Sequence, residues 1–170
     1  FQIVGLPDKT MEEAKERMSS ALKNSGFKHP RSFNRRTVIN LAPADLKKEG
    51  GMYDLPMTLS FLLASEQSIF NAQDYLFAGE LGLEGNLRPV RGIISFAILA
   101  KEKGIKTLVV PFQNKKEASL VGGVNVFAPH NLTEVIDFLE GRKENNSSQL
   151  SLLRSLGATE GQAVVNGQRS

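Results

Sequence analysis

Short segments with strand character alternate with helix-like segments through most of this chain. Residues 105–141 run in the order strand, helix, strand, helix, which suits parallel strands joined through crossovers. The alternation predicts a layered domain of the α/β or α+β class. The strand-like segments are residues 1–4, 37–41, 105–111 and 124–127, with 77–81 and 87–90 flanking a hairpin turn at residues 84–86.

The first two predicted helices carry recognisable end signals. Thr10 and Glu13 fit a capping box, in which the hydroxyl and the carboxylate bind amides that the first helical turn leaves unpaired. Gly26 supplies a left-handed residue at the end of this helix, and the residue after it can fold back on the last turn. Residues 54–64 form the second helix, with Asp54 as its N-cap.

Three further helices follow. Residues 92–103 are mostly apolar, so we expect that helix to be buried on several sides and to end at Gly104. A short helix then runs to the Gly122-Gly123 break, and the last helix closes at Gly141. The caps assigned to these two helices are Asn114 with Glu117 and Asn131 with Glu134.

Composition limits the chemistry that the chain can perform. With 170 residues it has room for one domain with a real core. It contains no cysteine, which excludes disulfides, thiolate catalysis and cysteine-ligated zinc. His29 and His130 are far apart and offer no clustered metal ligands. The longest apolar stretch, residues 93–100, is too short to span a bilayer. The net charge of +3 permits an acidic binding partner without requiring one.

The composition changes after Gly141. Residues 142–170 are rich in Ser, Asn, Gln and Gly, with one small group of leucines, and they predict a polar linker or tail rather than a second domain. The domain is therefore expected to cover residues 1–141. Because the sequence starts at Phe1 rather than at a methionine, we also expect residues to precede it.

Motifs that bind phosphate or activate a nucleophile are missing from the sequence. No phosphate loop is present, since no Gly-Lys pair occurs, and no G-x-S-x-G or H-E-x-x-H motif is found. Arg31, Arg35 and Arg36, together with Lys28, form the best candidate for nucleic-acid binding, although a solvated basic loop is the simpler interpretation. The local charge groups are interpreted as solvated faces or caps; they are Asp8, Glu12, Glu13, Lys47, Lys48 and Glu49.

Three stretches carry a resemblance to a known family. The first is Val-Gly-Leu-Pro at residues 4–7, and the second is residues 40–56, from Asn-Leu-Ala-Pro to Tyr-Asp-Leu-Pro. The third is Gly-Glu-Leu at residues 79–81, followed by Leu-Arg-Pro-Val-Arg-Gly at residues 87–92. In order and spacing they resemble the N-terminal domain of ComM/YifB-type proteins, which are magnesium-chelatase-like. More distantly, the plan is similar to the proteolytic domain of Lon and the Lon-like domain of RadA. The resemblance implies the two-layer fold of Lon protease domains and GHMP kinases: a mixed sheet with helices mainly on one face.

The resemblance also assigns the positions of the Lon-type catalytic residues. The serine position falls at Asp54, the supporting threonine at Ala78 and the lysine at Ile94. A carboxylate that caps a helix is a poor nucleophile and isoleucine cannot act as a base, so no catalytic residue is expected. Asp54 is then a structural cap whose loss costs about 0.5–2 kcal/mol.

Glu80 lies on a strand whose apolar neighbours suggest burial, so its carboxylate needs a partner. Arg91 and Arg36 are the candidates.

For function, the resemblance implies a noncatalytic accessory domain in a cytoplasmic, hexameric, ATP-driven machine. ComM-type proteins act in natural transformation as DNA helicases that promote branch migration, and ATP and Mg²⁺ belong to an AAA+ module expected after the linker. Two alternatives remain open. A hydrolase would pair Ser95 with Lys47 or Lys48, and a protein-binding module would use the sheet edge or the loop at Tyr53.

Overall fold

The computed structural model describes residues 1–142. The predicted tail lies outside this range from residue 143 onward. None of the described helices has the length and apolar character needed to cross a membrane. The elements follow in the order β1 (Gln2–Val4), α1 (Lys9–Asn24), β2 (Val38–Asn40), α2 (Asp54–Ala64), β3 (Tyr75–Phe77), β4 (Glu80–Leu81), β5 (Leu87–Arg88), α3 (Ile93–Glu102), β6 (Thr107–Val109), α4 (Lys115–Ser119), β7 (Asn125–Phe127) and α5 (Leu132–Leu139).

The strands confirm a mixed α/β fold. β1 pairs in parallel with β2, β6 lies between β3 and β7 in a parallel sheet, and β4 pairs antiparallel with β5. These pairings form three small sheets within the described residues rather than one mixed sheet. The predicted strand 77–81 is divided between two of them, because the amide of Ala78 bonds to Val109 whereas the carbonyl of Gly79 accepts from Leu55 at the start of α2.

The start of α1 differs from the prediction. Asp8, not Thr10, is its N-cap: the Oδ1 atom of Asp8 accepts the amide of Met11 at 2.8 Å. Aspartate is a strong cap and its charge also suits the positive helix end, so the helix begins earlier. Its end is as predicted, since Gly26 has a φ of +84° and the amide of Phe27 bonds to the carbonyl of Leu22 at 2.9 Å.

The expectation that α3 is buried on several sides is wrong. Only Ile93, Ala97 and Ala100 are buried, and they recur at the spacing of a single face. Ile98 and Leu99 are 44% and 41% exposed. The helix packs chiefly against β6 and α4, so the described part of the chain covers one stripe of it.

The two C-terminal helices differ in their caps. Asn114 occupies the N-cap position of α4, as predicted, but makes no side-chain cap bond, because a 3-10 turn, Phe112–Asn114, already places it in helical geometry. Its side chain instead binds the amide and the carbonyl of Val90, at 3.0 and 2.8 Å. Asn131 caps α5 as predicted, accepting the amide of Glu134 at 2.9 Å, while the carboxylate of Glu134 accepts from His130.

The core consists of two clusters of buried apolar side chains. The larger joins α1, α2 and α5 around Met18, Leu22 and Leu62. The smaller lies between α3, β6 and α4 and includes Ile93 and Leu108. α2 contacts both α1 and β4, and hydrogen bonds of its first residue, Asp54, place the start of α2 against the middle of α1.

Candidate functional site

The start of α2 holds the position where the resemblance places a catalytic serine. A 3-10 turn, Gly51–Tyr53, leads directly into the helix, and Tyr53 occupies the N-cap position in helical geometry without a side-chain cap bond. Asp54 is therefore not the cap that the sequence predicted. Because the backbone is already helical before Asp54, its carboxylate is turned away from the first-turn amides and toward α1.

Arg17 on α1 binds this carboxylate. Asp54 is fully buried, and its Oδ2 atom accepts from Arg17 Nε at 2.6 Å while Oδ1 accepts from Arg17 Nη2 at 3.0 Å. Oδ2 also accepts the backbone amide of Leu81 at 3.1 Å. Arg17 Nη2 donates in addition to the carbonyl of Thr10 at 2.9 Å. This network ties α1, α2 and β4 together at one point.

Burial governs the electrostatics of this pair. It raises the pKa of the Asp54 carboxyl, because removal from water disfavours the charged form, while the hydrogen bonds from Arg17 and Leu81 act in the opposite direction. The hydrogen bond to Asp54 raises the pKa of the Arg17 guanidinium. Both oxygens of the carboxylate accept hydrogen bonds from donors of the protein itself, and the guanidinium compensates its charge.

The two other positions assigned from the resemblance carry no reactive group. Ala78 is fully buried in the smaller core cluster. Ile94 is 39% exposed on α3, and only its backbone amide makes a polar contact, with Glu117 Oε1 at 3.4 Å. Neither side chain can support a nucleophile.

A cleft opens beside this network. Its walls are tied together by Asp8, whose Oδ2 atom accepts the amide of Gly50 at 3.0 Å. The Glu80 side chain lies across Gly51 so closely that a Cβ atom there would stand 2.2 Å from Glu80 Oε2. The lining residues are Asp8, Thr10, Glu49, Gly50, Gly51, Met52, Glu80, Pro89, Val90 and Arg91.

The partner of Glu80 is Arg88, not Arg91 or Arg36. Arg88 Nη1 lies 3.8 Å from Glu80 Oε1, and the two residues are directly opposite in the β4–β5 hairpin. Arg91 lines the cleft without an ion pair to Glu80 among the described residues, and Arg36 donates to Gln2 Oε1 at 2.6 Å. The predicted turn at residues 84–86 would have placed residue 90 opposite Glu80, whereas the observed register is centred on residue 84 and places Arg88 there.

Lys48 does not belong to a solvated charge group, contrary to the prediction. It is only 5% exposed, and its Nζ atom donates to the carbonyls of Gly5 at 2.8 Å, Leu41 at 3.2 Å, and Pro43. A loop of irregular backbone leaves these carbonyls without ladder partners, and the ammonium satisfies them. The lysine is thus engaged by the backbone and is not positioned as a base for Ser95, which lies on the exposed face of α3.

Its neighbour Lys47 is exposed, as predicted, and pairs with Glu49 at 3.5 Å. No hydrogen bond links Lys47 to Ser95 in residues 1–142.

The three arginines of the predicted nucleic-acid site divide into two groups. Arg31 forms an exposed ion pair with Glu16 at 2.6 Å. Arg35 lies over the ring of Phe33, 5.5 Å from its centroid. Arg35 and Arg36 border a common groove; its lining residues are Phe33, Arg35, Arg36, Thr37, Val38, Phe61, Ala64 and Ser65.

Comparison with known proteins places the chain in a family. Residues 1–114 match the family described as "Subunit ChlI of Mg-chelatase". The chain belongs to this family. The predicted ComM/YifB relationship is confirmed as well, because the competence protein ComM of Haemophilus influenzae is 45% identical over 145 residues, and YifB of Escherichia coli is 45% identical over 141 residues.

These alignments cover most of the chain but a small part of each relative. They span 85% and 82% of this chain, against 28% of ComM and 27% of YifB. A Lon protease of Desulfatibacillum aliphaticivorans is 31% identical over 84 residues, which is 49% of this chain and 10% of that protein. The relationship to Lon agrees with the mixed α/β fold.

Proposed function

We propose that this domain is a noncatalytic accessory module of a larger, ATP-driven protein of the ComM type. The state of Asp54 carries the proposal. At the position where a Lon-type protease has its serine, the chain has a fully buried carboxylate that Arg17 and the Leu81 amide occupy. A peptidase needs an accessible nucleophile and a base, and the side chains of Ala78 and Ile94 supply neither.

The wider assembly is also part of the proposal. Two observations support it: the chain belongs to this family, and it spans only about a quarter of the length of ComM and of YifB. ATP and Mg²⁺ would be bound by an AAA+ module of the larger protein, because this chain has no phosphate loop. We propose a cytoplasmic homo-hexamer that acts on DNA during branch migration in natural transformation. The domain would help to assemble the ring or to guide the DNA.

A direct contact of this domain with DNA would be weak. Arg31, Arg35 and Arg36 are exposed, but Arg31 is already compensated by Glu16. A few phosphate contacts give non-specific dissociation constants on the order of 10⁻⁴–10⁻⁶ M, which increase steeply with salt. Six copies on a ring would convert such a site into useful avidity.

Two measurements test the proposal. The purified chain is incubated with an unfolded casein substrate beside an active Lon protease, and we expect cleavage only by Lon. If the chain cleaves casein and a single serine substitution such as Ser95→Ala abolishes the cleavage, the proposal is wrong and the domain is a hydrolase. Titration with labelled single-stranded and branched DNA, at low and physiological salt, is expected to show weak and salt-sensitive binding. Tight binding that does not respond to salt would contradict the weak-contact scheme.

A further inference from the structure

The outer edge of β2 is open in the described part of the chain. β2 pairs only with β1 there, through bonds that include Thr37 carbonyl to Gln2 amide and Leu41 amide to Val4 carbonyl. Backbone groups of alternate residues in a strand point to opposite edges, so the amides and carbonyls of Val38 and Asn40 point away from β1. An unpaired edge of this kind accepts an additional strand.

An apolar groove adjoins the same edge. Val38 is 47% exposed, and the groove extends from it to Ala64 and the aromatic pair of Phe33 and Phe61, whose rings meet edge-to-face at 6.1 Å. An apolar side chain of an added strand would find a matching surface there. The open edge and the groove are two independent features at one place.

The rim of the groove is cationic and lacks a compensating acid. Arg35 and Arg36 line it, and no carboxylate does. Within residues 1–142, Arg36 binds only the neutral amide of Gln2, and Arg35 lies on Phe33. Two guanidinium groups without carboxylate partners favour an occupant that carries carboxylates.

We propose that the edge of β2 and this groove bind an extended acidic segment of a protein partner, which adds to the sheet as a strand. Its backbone pairs with Val38 and Asn40, one apolar side chain enters the groove, and neighbouring carboxylates meet Arg35 and Arg36. This inference goes beyond the accessory role, because it adds a protein-recognition surface. Single-stranded DNA matches the charge, but it uses neither the strand edge nor an aliphatic pocket.

The test uses the 170-residue chain and labelled peptides of about ten residues. One peptide alternates Asp and Val, a second alternates Lys and Val, and a third is the Asp-Val peptide with alternate amides N-methylated so that it cannot pair as a strand. Fluorescence anisotropy measures the dissociation constants. We expect the Asp-Val peptide to bind at least about tenfold more tightly than either of the others, since each lacks one of the two recognition elements.

Variants locate the binding site. Arg35→Ala with Arg36→Ala is expected to weaken binding about tenfold, and Arg35→Glu with Arg36→Glu to shift the preference to the Lys-Val peptide. Val38→Pro removes the outward amide without removing a bond to β1, and it is expected to weaken binding about fivefold or more. Lys115→Ala with Lys116→Ala, an equal charge loss on α4, is the matched control and should change binding less than about twofold. Thermal melts confirm that each variant is folded.

Several outcomes would overturn the inference. Equal affinity for the Asp-Val and Lys-Val peptides would remove the role of charge. Self-association of the Arg35→Ala/Arg36→Ala variant with unchanged peptide binding would show that the arginines only protect the strand edge. A third outcome is that labelled oligo-dT binds through these arginines, while the Asp-Val peptide neither binds nor displaces it. The groove would then be a DNA site. That result overturns the peptide inference and leaves the accessory function standing, whereas peptidase activity would overturn the function and leave the groove untouched.

Discussion

The guanidinium of Arg17 and the carboxylate of Asp54 form a buried two-point contact, Nε to Oδ2 at 2.6 Å and Nη2 to Oδ1 at 3.0 Å. The Asp54 side chain is 1% exposed and that of Arg17 is 14% exposed. The pair fixes the start of α2 against α1, at the position where the resemblance to Lon places a serine. Removing either partner leaves the other charge buried and uncompensated.

Arg17→Met is expected to destabilise the protein by about 3–5 kcal/mol, the usual cost of breaking a buried ion pair. Asp54→Ala should likewise exceed the 0.5–2 kcal/mol of a helix cap. Urea unfolding measures both. The matched control is Arg31→Met, which breaks the exposed pair with Glu16 and should cost no more than about 1 kcal/mol. A loss below about 1 kcal/mol for both buried-site variants would show that the pair has no structural role.

A second prediction concerns the buried ammonium of Lys48. Lys48→Met keeps the apolar stem but leaves the carbonyls of Gly5 and Leu41 without a donor, and that of Pro43 with the Leu46 amide alone, so we expect a loss of about 3 kcal/mol in unfolding free energy. The adjacent Lys47→Met removes an exposed charge and should stay within about 0.5 kcal/mol. Equal effects of the two substitutions in denaturant melts would mean that water replaces the Lys48 contacts.

The cleft provides a third prediction, on the contact between Gly51 and Glu80. A Cβ atom at residue 51 would overlap the Glu80 side chain, at 2.2 Å from Oε2 and 2.8 Å from Cγ. Gly51→Ala should therefore cost about 1–3 kcal/mol in the native background. In a Glu80→Ala background the cost should largely disappear. A double-mutant cycle measures this coupling, and additive effects would show that the cost of Gly51→Ala does not arise from overlap with Glu80.

Local signals predicted much of the fold. The bounds of α2 matched the prediction, and the cap of α5 was correct, because the residues that decide them are neighbours in sequence. The start of α1 was wrong because Asp8 and Thr10 are two good caps within three residues. Local patterns choose poorly between such candidates.

The candidate site was predicted less well, because its contacts are long-range. Asp54 was singled out as a helix cap, whereas its actual partner, Arg17, lies 37 residues away on α1. One signal was available: position 17 falls three residues after Ala14 and four before Ala21, both buried, so a charge there lies at the edge of an apolar face. For Lys48, nothing in the spacing shows that three loop carbonyls converge on its Nζ atom.

The partial exposure of α3 leads to the last prediction. Ala97 is fully buried and Ile98 is 44% exposed, although the two residues are adjacent in an apolar helix. Ala97→Gln places a larger polar group in the smaller core cluster and should destabilise the protein by more than about 2 kcal/mol. Ile98→Gln replaces a half-exposed side chain and should change the unfolding free energy by about 0.5 kcal/mol or less. Suppose that Ile98→Gln lowers the unfolding free energy more than Ala97→Gln does, in the isolated chain at low concentration. The outer face of α3 then packs against a surface that residues 1–142 do not supply. Dependence of that effect on protein concentration would then identify self-association, because a contact between copies weakens on dilution whereas a contact within one chain does not.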